Sequence, residues 1–355
     1  MLIQAATLRR FVTELFTRAG ATHDVAAEVA EHLVEANLKG HDSHGVGMIP
    51  AYVRNIKVGH LDAHAHAQVI RDSGAVLLVD GCRGFGQVVG REATDLAIAR
   101  AKQTGVVCLG LRNAHHLGRI GSYGERCGRA GFVSVHFVNV VGHEPQVSPW
   151  GGRERRMTTN PFCCVVPRDG DEPVVLDMAT SAIALGKVRV AHLQGVAIEP
   201  GALVDADGAP TTDPGVMFQA PFGSLGPFGK HKGYGLALMC ELLGGALAGE
   251  WTAQPAQARP GTIINHMLMF VVDPAAFGNR AAFQQEVFAM VDYIHGTTPA
   301  PGFDRVRVPG DPERESRAAR EREGISIDAN SWNGIVESAR HAGMTDPEID
   351  RLVSA

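Results

Sequence analysis

The sequence predicts a mixed α and β fold, with helices towards both ends and strands through the middle. Three observations carry this. Apolar residues recur at helical spacing before residue 40 and again beyond residue 283. Apolar, β-branched runs of strand length lie between residues 75 and 138 and again near residue 270. The one glycine-rich turn that follows a strand, Gly84-Phe85-Gly86-Gln87-Val88-Val89-Gly90, is a residue too long for the Rossmann fingerprint, and the next strand ends in Arg112-Asn113 with no acid for a ribose.

Residues 4–39 read as two helices separated by Gly20, the second opened by Thr22 and Asp24 and closed at Gly40 by a left-handed cap. Ile49 to Lys57 is a further short helix. Ala75 to Asp80, Gly105 to Leu111, Phe132 to Val138 and the segment ending at Asp177 are strands, with helices over Val88–Lys102 and Ile120–Arg129 between them. Taken alone, that alternation suggests an α/β layer architecture. An apolar helix covers 236–248, a last strand lies at Phe270–Pro274, and helices follow at 283–293, 313–323 and 331–341.

Composition narrows the function. The chain has 355 residues, 45% of them hydrophobic, and a net charge of −5 with no basic cluster, which argues against nucleic acid. The longest apolar stretch, Leu236 to Gly249, contains Glu241 and is too short to span a bilayer. Arg9 and Arg10 lie inside an amphipathic pattern, unlike a signal peptide. Six cysteines without a Cys-x-x-Cys pair suggest reduced core residues and a cytoplasmic setting.

The chemistry concentrates in Gly40-His41-Asp42-Ser43-His44-Gly45-Val46, at a helix end where backbone can approach a ligand. A neutral imidazole exchanges protons near neutral pH, which makes His44 the candidate acid/base. Other readings compete here. His41, Asp42 and His44 could share a metal, although no further ligands stand at metal-site spacing; Ser43 lacks a nucleophile elbow; and Asp42 or Ser43 could cap the next turn. A second stretch, Asn113 to Gly121, places His115 and His116 at a strand exit, with Gly118 and Arg119 suited to an anion. Asp177 to Ser181 reads as a ligand-facing strand end, with Lys187 one turn beyond, and His231 and Lys232 stand among glycines at a helix start.

These stretches together resemble the malate/L-lactate dehydrogenase-like family. The matching signatures are Asp42-Ser43-His44-Gly45-Val46, His116-Leu117-Gly118-Arg119, Thr159-Asn160-Pro161, Asp177-Met178-Ala179-Thr180-Ser181, Pro210-Thr211-Thr212-Asp213-Pro214 and Lys232-Gly233-Tyr234, in order over residues 40–235. The resemblance implies an α+β, non-Rossmann fold of the L-sulfolactate/malate dehydrogenase type. A helical domain comes from both termini (1–73 and 296–355), and a central mixed-sheet domain (74–295) binds NAD, with NADP as the other candidate. It also implies a homodimer that interconverts 2-oxo and 2-hydroxy acids without a metal.

By the same resemblance His44 is the proton donor in reduction, with Ser43 and His116 in its pocket. The cofactor-contacting positions are then His44, Gly118, Arg119, Ile120, Val175, Leu176, Asp177, Met178, Ala179, His231, Lys232, Asn265, Pro309, Gly310 and Asp311. One departure stands out. Many family members carry arginine where this chain has Met48, so Arg54 or another cation is expected to hold the substrate carboxylate. Met48 makes that wall apolar and points to a bulky or aromatic substrate. A cyclic-imine reductase, a metal-dependent hydrolase and a non-catalytic binding protein are the alternatives.

Overall fold

The computed structural model describes residues 1–354. Strand β1 (Leu2–Ile3) precedes α1 (Ala5–Arg18) and α2 (His23–Leu38), which pack as an antiparallel pair through Leu8, Phe11, Leu15, Val29 and Leu33, all fully buried. Thr22 opens α2 by accepting a hydrogen bond from the Val25 N–H. The expected cap closes it: Gly40 has φ 81°, and the His41 N–H reaches back to the Ala36 carbonyl. Helix α3 (Ile49–Lys57) follows, with its expected bounds.

The chain then builds a seven-stranded sheet from β2 (Gln68–Ser73), β3 (Val76–Asp80), β4 (Val106–His115), β5 (Val133–Val141), β6 (Phe162–Arg168), β7 (Asp171–Met178) and β11 (Ile264–Val272). Helices α4 (Gly86–Thr104) and α5 (Gly121–Arg129) flank β4 in sequence. The order across the sheet is β2-β3-β4-β11-β5-β6-β7, and only β3 and β4 run parallel. The α/β layering suggested by alternation is therefore corrected to a mixed, mainly antiparallel α+β sheet. Strand β11, read from sequence as the last and short, is the buried centre of the sheet and runs the full length from Ile264.

Strand β2 falls inside the segment expected to belong to the helical part, yet it pairs with β3. Every residue of β2 is exposed, so it carries no alternating apolar signal. Beyond β7 a small unit forms from α6 (Leu185–Gln194), β8 (Leu203–Val204), β9 (Pro210–Thr211), β10 (Ser224–Leu225) and α7 (His231–Cys240), with its own core around Leu203, Val188 and Leu225. Helix α7 runs on as a π-helical stretch over Glu241–Gly249. Then come α8 (Arg280–His295), α9 (Asp311–Glu323), β12 (Ile325–Ser326), α10 (Ala329–His341) and α11 (Asp346–Ser354). The last three return to the N-terminal helices: β12 pairs with β1, and Ile335 and Ile349 join the α1–α2 core.

The glycine-rich turn has a packing role. A Cβ at Gly86 would lie 2.2 Å from the His116 carbonyl oxygen, and one at Gly90 would lie 2.6 Å from the Tyr123 ring. These glycines let α4 press against the turn that carries His116.

The helical part and the sheet are joined by buried charge. Lys39, at the end of α2, contacts Glu125 of α5 and lies 2.9 Å from Glu35. Glu125 in turn faces Arg119 at 2.8 Å, and Arg119 lies 3.6 Å from Asp177 at the end of β7. Burial alone would raise the Glu125 carboxyl, but Arg119 and Lys39 outweigh it and hold it at about 2. A Lys39→Ala change leaves Glu125 buried with one partner fewer. It is expected to cost about 3–5 kcal/mol in urea unfolding; a loss below about 1 kcal/mol, the scale of an exposed pair, would show that the network does not join the two parts.

Candidate active site

His44 ends a short 3₁₀ turn, Asp42–His44, directly after the α2 cap. Side chains pin this turn from outside. Asp42 accepts from Asn37 Nδ2 at 2.7 Å and from both terminal nitrogens of Arg320 at 2.6 and 3.0 Å, while His41 Nε2 lies 3.2 Å from Glu313. Asn37 Oδ1 also accepts from the Val46 N–H, and a Cβ at Gly45 would sit 2.1 Å from that oxygen. His41 and Asp42 are thus turned towards α9. They do not converge with His44 on a common point, as the metal reading requires, and no cluster of metal-binding geometry forms among the described residues.

His44 faces His116 instead. Their rings are nearly parallel, 22° apart, with centroids at 5.6 Å. Ser43 Oγ lies 2.9 Å from His44 Nδ1, and Tyr52 Oη lies 2.7 Å from His116 Nδ1. Neither Nε2 makes a hydrogen bond within the described chain. Burial, reinforced by the nearby His41, pushes the His44 imidazole down to about 4, although Asp177 opposes the shift. His116 is driven well below the usual range by burial and by its neighbours His44, His115 and His32. Both imidazoles are therefore neutral at pH 7.

The other expected residues fall into three groups. Around the histidines, Arg119 is 2% exposed, and two of its guanidinium nitrogens, Nη2 and Nε, face Glu125 and Asp177 without making an aligned hydrogen bond. Its backbone N–H donates to His32 Nε2, and Ile120 and Val175 are buried in the sheet core. Asp177 Oδ2 accepts from the Gly121 N–H at 2.8 Å, directly above the Arg119 guanidinium. Asn265 is spent on backbone, accepting from the Leu117 N–H and donating to the Asn139 carbonyl. It holds the His116 turn against β11.

Along the β7 edge, Leu176 is exposed and Met178 and Ala179 are half-buried. The Val175 N–H donates to the Pro309 carbonyl, and Gly310 takes φ 98°. Asp311 caps that turn, held at about 2 because hydrogen bonds from His295, the Val308 N–H and Arg314 outweigh its burial. A cavity of about 330 Å³ opens here, touching Val175 and Gly310. Thr180 Oγ1 donates to the Thr159 and Asn160 carbonyls, and the Phe228 N–H donates to the Thr180 carbonyl. Three separate sequence stretches meet at that point, and His231 and Lys232 stand exposed at the first turn of α7.

Arg54 is placed apart. It follows Tyr52 by two residues, so it lies on the opposite side of α3, exposed and without an ion pair among the described residues. Met48 is half-buried beside the α1–α2 core. At the start of α6, a Cβ on Gly186 would lie 3.4 Å from Ser43 Cβ, which brings the exposed Lys187 into the same neighbourhood. A larger cleft of about 1010 Å³ lies elsewhere, between the Arg153–Met157 loop and the π-helical stretch, and neither histidine lines it. Tyr52, Gln87 and His32 gave no sequence signal, since each reads as an ordinary residue on a helix; only the fold aims them at the site.

The sequence profile of the malate/L-lactate dehydrogenase family matches residues 3–336. Hydroxycarboxylate dehydrogenase B of Escherichia coli O157:H7 is 47% identical over 345 residues, covering 96% of this chain and 94% of that protein. Among solved structures, sulfolactate dehydrogenase from Methanocaldococcus jannaschii superposes with a TM-score of 0.86 at 32% identity, covering 99% of both chains. Δ1-piperideine-2-carboxylate reductase from Pseudomonas syringae pvar. tomato gives 0.80, also at 32%, over 95% of this chain and 99% of that one. The chain belongs to the malate/L-lactate dehydrogenase family and has its α+β, non-Rossmann fold. It is an oxidoreductase of a pyridine-nucleotide-dependent family that acts on 2-hydroxy and 2-oxo acids.

The neutral histidines make stability depend on acid. Burial pushes His32 and His115 down to about 3, and His44, His136 and His266 down to about 4. Below pH 6.5 the unfolded chain takes up protons that the native state does not, so this stability is complete above pH 6.5 and is lost as the pH falls towards 4. Each such histidine contributes a slope of up to about 1.4 kcal/mol per pH unit. The thermal midpoint is expected to be level from pH 7 to 8 and to drop steeply between pH 6.5 and 5; a midpoint unchanged at pH 5 would contradict the neutral assignment.

Proposed function

We propose that this protein interconverts 2-hydroxy and 2-oxo acids with bulky or aromatic side chains, using NAD in preference to NADP. The observation that carries the reading is the stacked pair of neutral imidazoles, each bound at Nδ1 and free at Nε2. A nicotinamide dinucleotide, when bound, takes up or supplies the hydride at its C4 position. In oxidation, neutral His44 accepts the proton of the 2-hydroxyl group. In reduction it must first be protonated, and it then returns that proton to the 2-oxo oxygen.

Several features support a dinucleotide. The first turn of α7 carries the exposed side chains of His231 and Lys232, which suit a phosphate. Leu176 to Ala179 and the Pro309–Gly310–Asp311 turn form a second, partly open edge. The half-buried Met48 supports an apolar substrate wall. Lys187, exposed and next to the Gly186 that packs by Ser43, is the alternative to Arg54 for attracting the substrate carboxylate.

Exposed Met239 near the end of α7, and Leu242 and Leu247 on the π-helical stretch after it, support a homodimer. Six unpaired cysteines support a cytoplasmic setting. No helix among the described residues is long and apolar enough to cross a membrane.

A second reading has its own support. A cyclic imine bearing a 2-carboxylate presents a C=N bond where a 2-oxo acid presents C=O, and one structural neighbour is named as a reductase of such a compound.

The deciding experiment follows NADH oxidation against pyruvate, oxaloacetate, phenylpyruvate, hydroxyphenylpyruvate and piperideine-2-carboxylate, beside a His44→Ala variant. Phenylpyruvate-type acids are expected to dominate, and the variant is expected to lose about 10²–10⁴-fold in turnover while still binding NADH. Turnover of the imine alone would select the second reading. The pH dependence follows from the depressed His44. Oxidation needs the neutral form, so kcat/KM for the hydroxy acid is expected to be flat from pH 6 to 8 on its acidic side. Reduction needs the charged form, so kcat/KM for the oxo acid is expected to fall about tenfold per pH unit over the same range. Equal profiles in the two directions would remove His44 from the proton step.

A further inference from the structure

Behind His116 stands a line of buried polar side chains for which the acid/base reading has no use. Tyr52 and Gln87 are both fully buried, and His116 is 9% exposed. Gln87 Nε2 donates to Tyr52 Oη at 2.8 Å, and Tyr52 Oη lies 2.7 Å from His116 Nδ1. Tyr52 sits on α3 in the helical part and Gln87 on α4 over the sheet, so the line crosses the junction that forms the site.

A phenol has one proton to give. Burial raises the Tyr52 phenol far above its ordinary value, so the proton stays on. With the Gln87 amide donating to the phenolic oxygen, that proton has one destination, His116 Nδ1. The opposite orientation of the amide would bury both N–H groups of Gln87 without an acceptor. The observed one leaves one N–H and the carbonyl oxygen unpaired, which is the milder defect because an orphaned buried carbonyl is better tolerated than a second orphaned N–H. His44 is under no such restriction, because its Nδ1 partner is the Ser43 hydroxyl, which gives or accepts with equal ease.

We propose that Gln87 and Tyr52 are positioning residues that lock His116 in its Nε2–H tautomer. The two stacked imidazoles then have different duties. His44 can carry its proton on either nitrogen and is suited to exchange it. His116 is held as a permanent hydrogen-bond donor at Nε2 and cannot accept a proton there. Beside a substrate it would polarise the reacting oxygen without titrating. This catalytic consequence rests on the function proposed above; the tautomer itself does not.

The test is long-range ¹H–¹⁵N spectroscopy of the ¹⁵N-histidine-labelled protein at pH 7.5, with the His116 signals assigned by their loss in His116→Asn. The expected wild-type pattern is a protonated Nε2 and a bare Nδ1. Tyr52→Phe removes the lock and is expected to give a mixture of tautomers and a drop in kcat of about 10–100-fold, with the NADH dissociation constant unchanged. Gln87→Met removes the outer donor and should shift the tautomer ratio in the same direction by a smaller amount.

A wild-type His116 protonated at Nδ1 would overturn the proposal, whatever the variants do. So would a folded Tyr52→Phe protein that keeps a pure Nε2–H signal. The spectrum is read without substrate, so a protein that turns over no 2-oxo acid would sink the proposed reaction and leave the tautomer result standing.

Discussion

The structure depends on one buried set of charges, Lys39–Glu125–Arg119–Asp177, where the helical part meets the sheet. Charges at that depth are costly unless each finds its opposite, which favours the arrangement in which α2, α5 and the end of β7 close together. That arrangement brings the turn after α2 opposite the turn after β4. His44 comes from the first and His116 from the second, and neither turn has a site without the other. Asp42–Arg320 and His41–Glu313 extend the same clamp to α9, so both ends of the chain hold the turn that carries His44.

Electrostatics inside this junction set the chemistry. Burial is the largest influence on each histidine of the cluster, and it drives all of them towards the neutral form. A crowd of imidazoles that could charge together would repel and open the site. Kept neutral, they act as hydrogen-bonding groups whose directions are set by partners: Ser43 for His44, Tyr52 for His116, Asn55 and Thr262 for His115, and the Arg119 N–H for His32.

Much of the local structure was legible in advance because it is local. The Gly40 cap, the α3 bounds, and the strands read at 75–80 and 132–138 follow from periodicity and turn chemistry over a few residues, although the second runs on to Val141. What escaped has a physical reason in each case. Strand β2 is exposed on both faces and shows no alternation. Strand β6 lay hidden behind Pro161, and α11 closes a core whose other half is at the far end of the chain. The glycine motif at 84–90 has the look of a phosphate loop, yet its glycines serve helix packing against the His116 carbonyl.

The sequence by itself determined the family and singled out His44 as the candidate acid/base, because both are carried by short motifs whose spacing survives in one dimension. Tertiary structure alone decided the rest. It stacked His116 on His44, turned Arg119 from a surface cation into a buried one, spent Asn265 on backbone and left Arg54 on the outer side of α3. These outcomes depend on burial and on contacts between residues as far as 148 positions apart, and no pattern along the chain encodes which distant partner a side chain will meet.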